Sequence, residues 1–174
     1  MHIELKRICV PIDFSEESEH ALRYALTFAD QFKAELHLLH VVQDIVPTVP
    51  EPGLAILPTD EIVRSLEKGA EEGLAALPSA EWAGKINVVR AIRHGVPFHE
   101  ISQYAKQSNI DMLVIATHGR TGLAHFLLGS VAERVVRSSP ALSLPFATSS
   151  TSSSFLNTSG NLPWATTIEG GLTR

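Results

Sequence analysis

Ile8-Cys9-Val10-Pro11-Ile12, then Asp13-Phe14-Ser15-Glu16-Glu17, then a polar-apolar stretch to Ala29, then the apolar run 36–42: this part of the chain decides the fold. The first five residues are continuous, apolar and β-prone, as expected of a strand covered on both faces. Ser15 before Glu16 and Glu17 reads as a helix N-cap with acids in the first turn, where the helix dipole favours them. Ala21, Leu22, Ala25, Leu26 and Ala29 then recur at helical spacing. The run 36–42 is a second strand. Strands joined through a helix run parallel, and such crossovers are right-handed.

The rhythm continues outward. Residues 60–77 predict a second helix, with Ile62, Leu66, Ala70, Leu74 and Leu77 on its inward face. Residues 86–92, interrupted by Asn87 and Arg90, suit an edge strand. Pro97 opens a third helix through Ile101 and Ala105. Residues 112–116 predict a fourth, buried strand. Residues 129–137 predict a fourth helix, with Val131, Ala132, Val135 and Val136 inward. A weak fifth strand is expected over Ala141-Leu142-Ser143-Leu144, confined to an edge by Pro140 and Pro145. The class is α/β, a three-layer sandwich with helices on both faces of a parallel sheet.

The chain has 174 residues, 44% hydrophobic and 19% charged, enough for one domain with a core and too apolar to be wholly disordered. A net charge of −5 argues against a broad basic surface for nucleic acid. Cys9 is the single cysteine, which excludes an intrachain disulfide and a cysteine zinc cluster. No apolar run approaches the ~18 residues that span a bilayer, and residues 1–7 lack the apolar stretch of a signal peptide. A cytoplasmic protein without membrane insertion is expected. In residues 147–174, 12 of 28 are Ser or Thr, and only Glu169 and Arg174 are charged. The expected division is therefore a folded domain, 1–146, and a disordered Ser/Thr-rich tail, 147–174. The alternative for the tail is an arm docked through Phe155, Leu156, Leu162 and Trp164.

In an open α/β sheet the binding crevice lies at the carboxyl ends of the strands. After the first strand come Asp13, Ser15, Glu16 and Glu17, a poor cradle for phosphate because it repels like charge. Asp13 either accepts hydrogen bonds from a base or ribose, or caps the helix with Ser15. The proline-rich loop 43–58 is a cover for a bound base or a mere connector. After the fourth strand come Ala116-Thr117-His118-Gly119-Arg120-Thr121-Gly122 and then Gly129-Ser130. The glycines permit tight turns and close approach, Arg120 supplies a cation, and Gly129-Ser130 opens a helix whose first amides lack partners. No acid lies between Asp111 and Glu133. This stretch either receives a phosphate or is a glycine-rich turn before an ordinary cap. Neither G-x-G-x-x-G nor a Walker A loop is present.

Val10-Pro11-Ile12-Asp13-Phe14-Ser15, and Thr117-His118-Gly119-Arg120-Thr121-Gly122 followed by Leu127-Leu128-Gly129-Ser130-Val131-Ala132-Glu133, resemble the universal stress protein family over roughly residues 5–144. In its ATP-binding branch the second motif is G-x-x-G, nine residues, then G-[ST]. Gly119, nine residues, then Gly129-Ser130 fit it, and Ala116 stands at the first glycine position. The resemblance implies a five-stranded sheet in order 3-2-1-4-5, of the adenine nucleotide alpha hydrolase-like fold. It implies an ATP-binding stress-response or signalling module. Asp13 would meet the adenine or ribose, with Pro11 and Val41 lining the pocket. Ala116, Gly119 and Arg120 would lie along the phosphates, and Gly129, Ser130 and Val131 would close round them. Mg²⁺ would accompany the nucleotide, and two copies would pair as a homodimer through the last strand. Ala116 and the altered last strand favour an alternative, a family-like interaction module that has lost nucleotide binding.

Efficient catalysis is not expected. His118 and His125 flank the glycine-containing loop without a supporting acid, so slow ATP hydrolysis is the most this pattern offers. His37 and His40, three apart on a strand, face opposite sides and cannot share a metal. His94 reads as structural. Cys9 lies within the first strand and reads as buried and inert.

Overall fold

The structure, a computed structural model, describes residues 4–43, 60–82, 84–117 and 129–146. Strands and helices alternate as β1 (Arg7–Pro11), α1 (Glu16–Phe32), β2 (Glu35–Val42), α2 (Asp60–Ala75), β3 (Val88–His94), α3 (Pro97–Gln107), β4 (Met112–Ala116), α4 (Ser130–Ser138) and β5 (Leu142–Phe146). All five strands are parallel, in the order β3-β2-β1-β4-β5. This is the sheet expected above. The chain works outward from β1 to one edge and then returns to the other side of β1, so the switch in strand order lies between β1 and β4.

Alternation along each central strand divides the core into two layers. Ile8, Val10 and Ile12 of the first strand and its exit, Leu36 and Leu38 of β2, and Met112 and Val114 of β4 pack under Ala21, Leu22, Ala25, Leu26 and Ala29 of α1 and Leu74 of α2. The opposite residues, Cys9, Leu39, Leu113 and Ile115, pack under Ile101, Tyr104 and Ala105 of α3 and Ala132 and Val135 of α4. Thus α1 and α2 cover one face, α3 and α4 the other. Cys9 and His37 are paired in register and Cys9 is fully buried.

The local chemistry sets the element ends. Ser15 is extended, and its Oγ accepts from the Ser18 amide at 3.2 Å, which starts α1. Arg90 on β3 donates to the carbonyls of Leu74 at 2.8 Å and Leu77 at 2.6 Å, which satisfies the end of α2. Three expectations shift. β3 starts at Val88 rather than 86; just before it the Asn87 carbonyl accepts from the Leu36 amide at 2.9 Å and its side chain donates to Glu35 at 2.6 Å. β5 runs past Leu144 through Pro145 to Phe146, which an edge strand tolerates. On α2, Ile62 and Leu66 are 44% and 43% exposed rather than inward. Val136 on α4 is likewise exposed. The expected tail, 147–174, lies outside the described residues.

Candidate functional site

At the carboxyl ends of β1, β2 and β4 lies a cleft of about 850 Å³. One side is the exit of β1. The chain passes Pro11 and Ile12, whose amide still donates to the Leu39 carbonyl at 2.8 Å, and reaches Phe14 with φ of 61°. That left-handed turn throws Asp13 back toward the start of α1. Its Oδ1 accepts from the Ser15 amide at 3.1 Å and from the Ser15 hydroxyl. Asp13 therefore supports the helix cap, and it also lines the cleft. The two alternatives that the sequence left open for it are compatible.

The other side is the exit of β4. Ala116 and Thr117 line the cleft there. The Thr117 amide and hydroxyl both donate to the Phe146 carbonyl, at 2.7 and 2.9 Å. The Thr117 carbonyl accepts from the Gly129 amide at 2.7 Å. The two residues bordering the segment 118–128 are thus joined by one hydrogen bond. Gly129 is the extended N-cap of α4 and offers no side-chain bond to the first turn. The amides of Ser130, Val131 and Ala132 have no acceptor within the helix, and these residues line the cleft. The positive end of the α4 dipole therefore faces the cavity.

Pro11, Asp13, Val41, Ala116, Gly129, Ser130 and Val131, expected from sequence, converge on this one cleft. Gly119 and Arg120, with His118 and His125 and most of the loop 43–58, lie outside the described residues. The cleft also has walls that sequence reasoning missed. Phe14 and His40 sit together in it, ring centroids 4.7 Å apart, and His40 Nδ1 lies 2.6 Å from the Ile12 carbonyl. Ser65, Leu66, Gly69 and Ala70 of α2 form a further wall.

Among the described residues the cleft is lined by one carboxylate, Asp13, and one imidazole, His40. No cluster of three potential metal-ligating side chains occurs among them. A divalent ion here would take its remaining ligands from water and from the phosphate oxygens of a nucleotide, as Mg²⁺ commonly does. His37 lies on the other face, as expected. Its ring bridges the Tyr104 hydroxyl at 2.8 Å and Glu35 at 2.9 Å. Burial raises the Tyr104 phenol, partly offset by a hydrogen bond from Ser108. Burial also pushes the Cys9 thiol far up, so that it stays neutral and unreactive. His94 pairs with Glu67 at 2.8 Å across β3 and α2. No helix among the described residues is long and apolar enough to cross a membrane.

Residues 4–141 match the model of the universal stress protein family. Universal stress protein MJ0531 of Methanocaldococcus jannaschii is 39% identical over 137 residues, 76% of each chain. Among solved structures, universal stress protein UspA from Lactobacillus plantarum superposes with a TM-score of 0.68 at 26% identity, covering 83% of this chain and all but 1% of that one, 99%. A universal stress protein in complex with cAMP has a TM-score of 0.59 at 24% identity, a likeness of fold, covering 84% of this chain and 100% of that one.

Proposed function

The chain belongs to the universal stress protein family, and from that membership and the cleft we propose that it binds an adenine nucleotide, ATP with Mg²⁺, as a stress-response or signalling module. The observation that supports this best is the meeting of two unlike surfaces in one cavity. The N-terminus of α4, with Gly129, Ser130 and Val131, suits phosphate. The exit of β1, with Asp13 and the apolar Pro11 and Val41, suits a nucleoside. Gly119 and Arg120, which lie outside the described residues, are assigned to the phosphates by the family motif alone. Binding stabilises whichever surface a protein partner prefers, so nucleotide occupancy acts as a signal rather than as fuel. Two copies pair through the β5 edge, where Leu142 is 59% exposed.

Calorimetric titration with Mg-ATP tests the reading, with Ser130→Glu as the variant. Glutamate suits the first turn of a helix and so leaves the fold intact, but it repels a bound phosphate. The expected result is micromolar binding by the wild type, weakened at least tenfold in the variant with Tm unchanged or higher. No binding in either protein overturns it. Ala116, a methyl-bearing residue at the cleft wall where the family motif has glycine, favours the second reading, an interaction module without nucleotide, and that result would leave it standing.

A further inference from the structure

At the opposite end of the sheet from the cleft, the described residues enclose a second cavity, of about 360 Å³. It forms where the amino ends of three parallel neighbours, β1, β2 and β3, lie side by side. There the Glu35 amide donates to the Lys6 carbonyl at 2.8 Å and the Leu36 amide to the Asn87 carbonyl at 2.9 Å. Each of these strand starts brings a lysine. Lys6 immediately precedes β1, Lys33 caps the end of α1 just before β2, and Lys85 lies in the approach to β3. With Arg7, four basic residues line the cavity against one acid, Glu35, in a chain whose net charge is −5.

Both oxygens of that acid are engaged. Glu35 Oε1 lies 2.9 Å from His37 Nε2 and 3.7 Å from Arg7 Nε, and Oε2 accepts from the Asn87 side chain at 2.6 Å. Arg7 also donates to the Ser108 carbonyl at 3.2 Å, so its guanidinium is held within the protein. The lysines are held far less. Lys6 and Lys33 meet Glu4 at 3.0 Å and Asp30 at 2.9 Å, but their side chains are 70% and 79% exposed, and such pairs in water contribute little. Lys85 Nζ stands 5.6 Å from the centre of the Trp82 ring. The end of α1 borders the cavity, and its Ala29 carbonyl is closed by the amides of Lys33 and Ala34. Carboxylates are best gripped by a free guanidinium fork, whereas mobile ammonium groups suit phosphate as point charges. We propose that this cavity is an anion site, separate from the nucleotide cleft, for a compact ligand bearing two or more phosphate groups. Its concavity and the acidic balance of the rest of the chain select a small polyanion over a long one.

The test titrates inorganic pyrophosphate, by calorimetry, into the full chain carrying Ser130→Glu, so that the α4 end adds nothing. In that background Lys33→Asn with Lys85→Gln removes two cavity charges; asparagine tolerates the left-handed backbone of Lys33, φ 55°. Arg64→Gln with Lys68→Gln removes two exposed charges from α2 as the control. The expected result is a single binding event that weakens as NaCl is raised. It weakens at least tenfold in the cavity pair and stays within twofold in the control pair. Lys6→Gln, outside every helix, is expected to weaken it about fivefold with Tm unchanged, which separates lost charge from lost structure. Citrate, of similar charge, is expected to bind at least tenfold more weakly than pyrophosphate. Absence of pyrophosphate binding, retention within twofold in the cavity pair, or equal losses in the two pairs overturns the site. Citrate binding as tight as pyrophosphate overturns its assignment to phosphate. None of these outcomes bears on the nucleotide reading of the cleft.

Discussion

Phe14 sits in a backbone region that residues with a β-carbon enter at a cost of about 1–2 kcal/mol, φ 61°. Its ring is held between His40, 4.7 Å away, and the backbone of Gly73. Gly73→Ala puts a methyl into that ring, so despite better helix propensity it is expected to destabilise by about 1–3 kcal/mol in urea unfolding. Cys9 gives a pH-dependent expectation. The folded thiol stays protonated well above its ordinary 9.0. Below pH 9 both folded and unfolded chains hold this proton; above it only the folded chain does. Deprotonation then favours unfolding, and stability falls as pH rises, by at most about 1.4 kcal/mol per pH unit. Urea midpoints between pH 8 and 10 should fall less steeply in Cys9→Ala than in the wild type. At this scale the sequence brought Asp13, Gly129 and Ser130 to the same cleft, because their types mark the helix starts that border it. It did not disclose Phe14 or His40, whose placement comes from partners far along the chain.

Among the elements, α1 begins with a side-chain cap and α4 without one. Ser15→Ala removes the acceptor of the Ser18 amide and is expected to lower stability by about 1 kcal/mol, read from the denaturation midpoint. Arg90→Ala abandons two carbonyls at the end of α2 and is expected to cost about 1–2 kcal/mol by the same measurement. β4 was legible to the residue because Met112 to Ala116 are covered on both faces, which leaves an unbroken apolar run. β3 and β5 were less legible. An edge strand pairs on one side only, so its limits depend on the single neighbouring strand and on where a proline is tolerated. On α2 the period was visible, but period alone names a stripe without saying whether protein or cavity lies against it. Leu66 borders the cleft and Ile62 is exposed, so neither is the core residue that the period suggests.

For the molecule as a whole, parallelism followed from alternation, whereas the order of the strands followed only from the family resemblance. Local pattern carries no record of which edge a crossover reaches. The order has a measurable consequence. β1, β2 and β4 are interior strands, while β5 pairs only with β4 and carries Pro145. Amide hydrogen exchange should be slowest at Ile8, Cys9, Leu38 and Leu113 and markedly faster at Ser143 and Leu144. Equal protection across the sheet would contradict this layout. The last residue of β5 is also a terminal of another kind. The carbonyl of Phe146 is shared by Thr117 on the cleft wall, and its ring stacks on Tyr24 at 4.2 Å. A dye installed there would stand one hydrogen bond from the cavity without entering it. Its emission is expected to change on titration with Mg-ATP, and an unchanged signal in a chain that binds the nucleotide would show that the strand end is uncoupled from the cavity.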